Sequence, residues 1–347
     1  MPAGERLERL RELFRSAPAD VTGLLGEWFT TYHADLYAHG VSFDVYVEKA
    51  MAIRRDLGSA RRVLDLGAGF GVYAALLRES GIPQVVALDY HAEKARIAAR
   101  LHGHLGLDGV QVLRGDATAL PFPARSFDAA VALASLSHIR DPERALDEVA
   151  RVLRPGGRLF VFEDNNTAYP GYWKNMSRVW EGAETGRYSD DLPPERHRNE
   201  SYIEIRKSMI RERFPDLSPE ALDSCARATR GLYGKGIFRA VEEYRSRGSI
   251  TNPRRRLVCH PVSGEFEEYP LNPSLVRRFL TRAGFKSRLR CPLTGPYRGR
   301  RGALVWIASR ILTVWPSLVA RTSPVFSVLA NLPVPSKGPP GSESRRT

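Results

Sequence analysis

The sequence has few cysteines and no long apolar run. Cys225, Cys259 and Cys291 are odd in number and widely spaced, which fits neither a disulfide framework nor a CxxC-type zinc pattern. We therefore expect reduced, mostly buried thiols and no metal site. The most apolar stretch, residues 303–334, is interrupted by arginines and prolines and offers no run of about 18 uncharged apolar residues. No membrane span is predicted.

The N-terminal segment also lacks the apolar core of a secretory signal. Residues 1–16 are rich in Glu and Arg and predict a charged helix, so a cytoplasmic location is expected. The length of 347 residues favours one large domain with insertions, or two domains.

Positive charge is concentrated in the C-terminal part of the chain. Residues 250–347 contain 17 Lys and Arg against 4 Asp and Glu, which accounts for the whole net charge of +13. Such a region favours an acidic or phosphate-bearing partner, or is an arginine-rich solvated surface. Both interpretations stay open.

Residues 61–166 alternate between short apolar runs and helical patterns. Repeated βα units of this length predict a parallel sheet with helices on both faces. The predicted strands are Arg62–Leu66, Val85–Asp89, Val110–Leu113, Phe127–Ala134 and Arg158–Glu163, and the helices are Val72–Arg78, Ala92–His102 and Pro142–Leu153.

The flanking segments have other patterns. Residues 1–59 predict helices that form a lid or pack on the sheet, and residues 167–250 predict a helical insertion that caps the substrate. Residues 251–332 predict a hairpin around Ser263-Gly264 and two more strands, Phe285–Leu293 and Val325–Leu329. The Pro-, Gly- and Ser-rich residues 333–347 predict disorder.

A glycine-rich loop follows the first strand. After Asp65, glycines occupy positions 67, 69 and 71 before a helix begins. Glycine lets the backbone turn sharply and approach a ligand closely, and open parallel sheets bind ligands beyond the carboxyl ends of their strands. A dinucleotide fingerprint would need glycine where Val72 stands, and no Gly-Lys-Ser/Thr follows, so neither a dehydrogenase nor a P-loop is indicated.

Two more carboxylates lie at the predicted strand ends on the same edge. Asp89 ends the second strand, where it would accept hydrogen bonds from two ribose hydroxyls, and Asp116 follows the third, where it would accept from an adenine amine. Asp is common at strand ends and helix caps, so each alone is weak evidence. The conjunction of three acids with the glycine loop indicates a nucleoside-bearing ligand.

The motifs VLDLGAGFG, VVALDY, GDATALPF, SFDAAVALASLSHIRDP and LDEVARVLRPGGRLFVFE resemble, in order and spacing, those of class I S-adenosylmethionine-dependent methyltransferases. The resemblance covers about residues 60–166 and is to the small-molecule subgroup that includes quinone-biosynthesis and sterol enzymes. It implies a Rossmann-like three-layer α/β sandwich with a seven-stranded, mostly parallel sheet and an antiparallel last strand. A helical N-terminal lid and a helical insertion after strand 5 complete the expected fold.

The resemblance also implies a site for S-adenosylmethionine. The predicted cofactor-binding residues are Asp65, Gly67, Ala68, Gly69 and Gly71 at the methionine end, Asp89 and Tyr90 at the ribose, Asp116 and Ala117 at the adenine, and Ala134 after the fourth strand.

Catalytic candidates follow from the reaction. Methyl transfer is an in-line displacement on an activated carbon, so the enzyme mainly aligns the nucleophile and excludes water. A hydroxyl acceptor also needs a proton removed, usually by a positioned His or carboxylate. His138, Glu163 and Asp164 lie at the ends of the fourth and fifth strands, where the acceptor is expected.

A small-molecule acceptor methylated on a hydroxyl is the preferred prediction. The alternatives are C-methylation of a quinone- or lipid-type acceptor, and methylation of RNA or another nucleic acid. The nucleic-acid alternative is disfavoured because Leu136-Ser137-His138 stands where DNA amino-methyltransferases carry Asn/Asp-Pro-Pro-aromatic. A Trp-containing helix over residues 304–318 would suit peripheral membrane contact and a lipid- or sugar-linked acceptor, or would pack on the sheet. The residues give no indication of oligomeric state.

Overall fold

The computed structural model describes residues 3–16, 18–32, 43–188, 200–290, 321 and 323–334. The predicted helix at 304–318, Cys291 and the tail from residue 335 lie outside these ranges.

Seven strands form one sheet in the order β3-β2-β1-β4-β5-β7-β6. Strands β1 to β5 are parallel, and β7 is antiparallel to both β5 and β6. The prediction of a mostly parallel sheet with an antiparallel last strand is therefore confirmed. The strands are β1 (Arg62–Leu66), β2 (Gln84–Asp89), β3 (Val110–Arg114), β4 (Phe127–Leu133), β5 (Leu153–Glu163), β6 (Lys286–Arg290) and β7 (Phe326–Asn331).

Twelve α-helices lie in the described ranges, before, between and after the strands. They are α1 (Ala3–Arg15), α2 (Pro18–Leu25), α3 (Glu27–Tyr32), α4 (Phe43–Leu57), α5 (Val72–Glu79), α6 (Ala92–Leu105), α7 (Pro142–Val152), α8 (Tyr172–Thr185), α9 (Tyr202–Arg213), α10 (Pro219–Ala228), α11 (Lys235–Arg247) and α12 (Pro273–Arg282). None of them has both the length and the apolar character that a bilayer crossing requires.

Both faces of the sheet carry apolar side chains, since helices cover the central strands on both sides. On one face, side chains such as Leu64 and Ala130 pack with Leu146 of α7 and Val276 of α12. On the opposite face, residues including Val63 and Val131 pack with Ile53 and Leu57 of α4 and Leu77 of α5. Helices on both faces give the predicted three layers.

Most predicted elements differ from the structure by one to three residues at an end, and the two largest differences are in β5 and the hairpin. Strand β5 begins at Leu153 rather than Arg158, because Leu153 pairs with Phe127 before the register shifts to Ala129 opposite Arg158. Where the hairpin was predicted, the described residues form a single isolated β-bridge between Cys259 and Phe266. Both Cys225 and Cys259 are free and buried.

The N-terminal helices and the insertion helices form hydrophobic clusters separate from those on the sheet. In the N-terminal part, residues such as Leu10 and Phe29 pack against Leu76 of α5 and Leu101 of α6. Helices α9 to α11 share a separate cluster around Ile210.

Candidate functional site

The glycine loop is held by backbone hydrogen bonds and lies against the end of β4. Gly67, Gly69 and Gly71 have backbone φ angles of 69°, 57° and 75°. Residues with a Cβ rarely adopt this left-handed region. A Cβ on Gly67 would lie 2.6 Å from the Cβ of Ser135, and one on Gly71 would lie 2.8 Å from His102 Nε2. A Cβ on Gly69 would meet no protein atom within 4 Å. Packing within the protein therefore requires glycine at 67 and 71, whereas the space at 69 is open to a ligand.

Asp89 ends β2 and is oriented by two backbone donors. Its Oδ2 accepts a hydrogen bond from the N–H of Gly69 at 2.8 Å, and its Oδ1 accepts from the N–H of His91 at 2.9 Å. Carboxylate oxygens have further lone pairs, so this group can still accept hydrogen bonds from two hydroxyls. The arrangement fits a ribose.

Asp65 is a buried carboxyl group with an unused oxygen. It lies one residue before the end of β1, and its Oδ2 has no hydrogen-bond partner among the described residues. Burial, with a further contribution from the charge of Asp89, raises the pKa of Asp65 to about 7. Buried polar groups are normally paired, so this orphaned oxygen fits a ligand that brings a donor, such as the ammonium of a methionine moiety.

Asp116 is already engaged by Thr118 and Arg140, neither of which was predicted as a site residue. Its Oδ1 accepts from the N–H and the hydroxyl of Thr118 at 2.8 and 2.7 Å, and its Oδ2 pairs with the guanidinium of Arg140. Nearby, Tyr90 is 41% exposed beside the edge and Ala117 is buried. A ligand amine at Asp116 would share the carboxylate with Arg140.

The end of β4 has a strained backbone. Ala134 has φ of 48°, and its N–H donates to the carbonyl of Phe162 at 2.7 Å. Left-handed conformations in residues other than glycine are concentrated at functional sites. The predicted cofactor residue Ala134 thus lies at a turn that redirects the chain toward His138.

His138 ends a short 3-10 turn and is bound to a distant segment. Its Nδ1 lies 3.1 Å from the carbonyl oxygen of Phe266, and its own carbonyl accepts from the N–H of Phe266 at 3.1 Å. The N–H of Tyr269 donates to the carbonyl of Ser137 at 2.7 Å. Residues 265–269, named here the glutamate segment, are therefore paired with the end of β4.

Glu163 is fully buried at the end of β5. Its Oε1 accepts from the N–H of Leu136 at 2.9 Å, and its Oε2 has no partner within the described ranges. Burial, followed by the charges of Asp164 and Glu268, raises the pKa of Glu163 well above its ordinary value. Its neighbour Asp164 is exposed.

Each glutamate of the glutamate segment has a different partner. Glu265 lies against His91, Glu267 accepts from the hydroxyl of Tyr202, and Glu268 accepts from Asn165 Nδ2 at 2.9 Å. None of the three was predicted as a site residue. One available signal was that they are the three acidic residues in the otherwise basic stretch 250–301.

Tyr172, in the first turn of α8, lies near the carboxylates of Glu163 and Glu268. Its ring is buried, and its hydroxyl has no partner among the residues described. Burial, then the charges of Glu268, Asp164 and Glu163, raise the pKa of this hydroxyl. The structure therefore brings the predicted Glu163 and Asp164 together with Tyr172 and Glu268.

Lys49 of α4 approaches this edge from the other side of the sheet. Its Nζ lies 3.4 Å from the centre of the Phe162 ring. Burial lowers the pKa of Lys49 to about 8, and the charge of Asp164 opposes that shift. Across the described residues, no three His, Cys, Asp or Glu side chains are grouped so that they could hold a metal ion.

Comparison with known proteins identifies the kind of domain that the central part of the chain forms. A family model described as "Methyltransferase domain" matches residues 64–161, which include the glycine loop, Asp89, Asp116 and His138. The chain carries a class I S-adenosylmethionine-dependent methyltransferase domain. The recognition made from the motifs is confirmed.

Curated relatives match over the methyltransferase domain and its surroundings. A demethylmenaquinone methyltransferase of Paenarthrobacter aurescens is 34% identical over 121 residues, covering 35% of this chain and 45% of the relative. One from Thermus thermophilus is 38% identical over 134 residues, covering 38% of this chain and 56% of the relative. An uncharacterised methyltransferase of Mycobacterium bovis is 34% identical over 164 residues, with coverages of 47% and 62%. The chain spans about half the length of the first two relatives.

Proposed function

We propose that this chain transfers a methyl group from S-adenosylmethionine to a small-molecule acceptor. The proposal is carried by two features of this edge: the orphaned oxygen of Asp65, and the open space at Gly69, whose N–H donates to the carboxylate of Asp89. When bound, the cofactor supplies a methyl carbon activated by a sulfonium.

The residues of the methyltransferase domain hold the methionine, ribose and adenine parts of the cofactor. Asp65 accepts from the ammonium, Gly69 leaves room for the methionine moiety, and Asp89 accepts from the ribose hydroxyls. Asp116 accepts from the adenine amine while Arg140 balances its charge. Tyr90, exposed next to Asp89, covers the ribose or adenine face.

The acceptor lies at the ends of β4 and β5. His138, Glu163, Glu268 and Tyr172 surround this position, and α8 of the insertion covers it. A hydroxyl acceptor fits this polar environment, because His138 can take the hydroxyl proton during methyl transfer. O-methylation is therefore the preferred reaction.

C-methylation of a quinone-type ring is the second candidate. Two of the relatives described above are named demethylmenaquinone methyltransferases, which favours such an acceptor. A lipid-linked acceptor would also suit the basic C-terminal part of the chain if that part rests on anionic lipid. Sedimentation with anionic and with neutral liposomes tests that contact, and equal binding to both would contradict it.

The decisive experiment is incubation with isotopically labelled S-adenosylmethionine and a metabolite extract, followed by mass detection of labelled products. A label that is lost on ether cleavage indicates O-methylation, whereas one that is retained on a ring carbon indicates C-methylation. A thermal shift with S-adenosylhomocysteine and none with NAD is expected. No shift with S-adenosylhomocysteine would contradict the proposed function.

A further inference from the structure

We propose that Glu268 is the positioning residue for His138, which acts as the base through Nε2. This inference rests on the proposed function, in which a hydroxyl acceptor is methylated. The observation that carries it is the placement of the His138 ring between a backbone carbonyl and a buried carboxylate.

The carbonyl contact determines which nitrogen of His138 carries the proton. Nδ1 lies 3.1 Å from the carbonyl oxygen of Phe266. A carbonyl oxygen only accepts, so Nδ1 is the donor and carries hydrogen. In the neutral ring, Nε2 then holds the free lone pair.

The lone pair of Nε2 lies next to the carboxylate of Glu268. Nε2 is 3.8 Å from Glu268 Oε1, and the side chain of Glu268 is 4% exposed whereas that of His138 is 37% exposed. The exposed part of the ring can reach an acceptor, while the carboxylate behind it stays out of solvent. A buried carboxylate at this distance stabilises the imidazolium that forms when Nε2 takes a proton.

Glu268 is itself fixed by two kinds of contact. Asn165 Nδ2 donates to its Oε2 at 2.9 Å and also lies 3.1 Å from the carbonyl of Tyr269. The neighbouring backbone is paired with the end of β4 through Phe266 and Tyr269. The carboxylate therefore cannot move away from His138 without breaking its hydrogen bond from Asn165 or the backbone pairing of the glutamate segment.

Methyl transfer requires only His138, Glu268, the acceptor hydroxyl and the bound methyl donor. The acceptor oxygen forms a bond to the methyl carbon, and the electron pair of the breaking carbon–sulfur bond goes to sulfur. The proton of the acceptor hydroxyl passes to Nε2, so that His138 becomes a cation beside the anionic Glu268. Solvent later removes that proton.

Other charged groups lie near His138 and Glu268, and their ionisation also contributes to the pH dependence of kcat. Glu265, from the same segment, interacts with His138, His91 and Lys94. Glu163 of β5 interacts with Asp164 and Glu268, and Tyr172 of α8 interacts with all three.

The test compares Glu268→Gln with Glu268→Asp and with Glu267→Gln in the full chain. Glu267 is the matched control, because it is a buried neighbour in the same segment that pairs with Tyr202. Glu268→Gln is expected to lower kcat about 100-fold, to move the acidic limb of the kcat profile to lower pH, and to leave S-adenosylhomocysteine affinity within about twofold. Glu268→Asp is expected to recover part of kcat, and Glu267→Gln to stay near the parent value.

A spectroscopic measurement tests the pair without turnover. In ¹⁵N-labelled protein, with the His138 signals assigned through His138→Asn, we expect the Nδ1–H form in the neutral ring and a smaller protonated fraction at a given pH in Glu268→Gln. An Nε2–H tautomer, or a titration equal to that of Glu267→Gln, would overturn the inference. Because this readout needs no acceptor, an absence of methylated product would count against the proposed function alone.

Discussion

His91 Nε2 lies 2.6 Å from Glu265 Oε2, although the two residues are 174 positions apart in the sequence. His91 also donates its N–H to Asp89 at the end of β2. Burial raises the pKa of Glu265, but the hydrogen bond and charge of His91 outweigh it and lower the pKa to about 2. The loop after β2, which contains the proposed ribose ligand Asp89, is therefore joined to the glutamate segment by a polar contact.

Breaking this contact is expected to weaken cofactor binding. Either Glu265→Gln or His91→Gln should reduce the affinity for S-adenosylhomocysteine several-fold, because the loop after Asp89 loses its anchor. The double variant should bind about as well as either single variant, since both remove one interaction. Isothermal titration of all four proteins measures the coupling, and fully additive losses would contradict the assignment.

Alanine at position 69 separates cofactor binding from folding. Gly69→Ala should cost about 1 kcal/mol of stability through its positive φ, and should still fold because its Cβ meets no protein atom. It should nevertheless lose most of its affinity for S-adenosylhomocysteine.

Gly67→Ala is the matched comparison, because its Cβ would lie 2.6 Å from that of Ser135. It should lose about 3 kcal/mol or more through strain and overpacking combined. Chemical denaturation and ligand titration of both variants provide the measurement. Unchanged affinity in Gly69→Ala would mean that the open space is not the cofactor cradle.

Asp65 should make free-protein stability and cofactor affinity depend on pH in opposite directions. Its pKa in the folded protein is about 7, above its ordinary value, so its contribution to stability is complete at about pH 4 and is lost as pH rises through 7. Affinity for S-adenosylhomocysteine should rise over the same range, because the ammonium prefers the ionised carboxylate. Asp65→Asn should remove both trends, as measured by thermal denaturation and titration calorimetry from pH 5 to 8. A pH-independent difference between the two proteins would contradict this role.

His102 should make the glycine loop sensitive to acid. Its Nε2 lies 2.8 Å from the carbonyl of Gly71, and burial lowers its pKa while that hydrogen bond opposes the shift. A histidine with a lowered pKa in the folded state contributes stability above its unfolded value, so stability should fall as pH drops below about 6.5. His102→Gln keeps a donor for Gly71 and should flatten this dependence, whereas His104→Gln, exposed on the same helix, should not. Parallel curves for all three proteins would refute the assignment.

His138→Ala should lower turnover and leave the cofactor in place. Removal of a general base typically costs about 10²- to 10⁴-fold in rate, so kcat should fall within that range. Affinity for S-adenosylhomocysteine should stay within about twofold, because no cofactor-holding group is changed. Turnover equal to that of the parent protein would remove His138 from the mechanism.

The strands, and the positions of the carboxylates at their ends, were largely predictable because their signals are local. The apolar run that ends in Asp65 predicts a buried parallel strand, and the glycine loop after it predicts a ligand-binding turn. Neither prediction depends on distant parts of the chain. The glutamate segment was not predictable in the same way. Phe266 and Glu268 reach His138 across about 130 residues, and only the pairing of two backbones at the end of β4 brings them together.

The sequence by itself determined the class of domain, the order of its βα units and the identity of the methyl donor, since short apolar strands, helix caps and glycine turns are encoded over a few residues. Tertiary structure alone decided the environment of the proposed acceptor site. It buried the carboxyl groups of Glu163 and Glu268, left the Tyr172 hydroxyl without a hydrogen-bond partner among the described residues and placed His138 Nδ1 3.1 Å from the carbonyl oxygen of Phe266. The physical reason is that burial and charge proximity depend on which distant segments pack together, and these two quantities control the chemistry of ionisable groups.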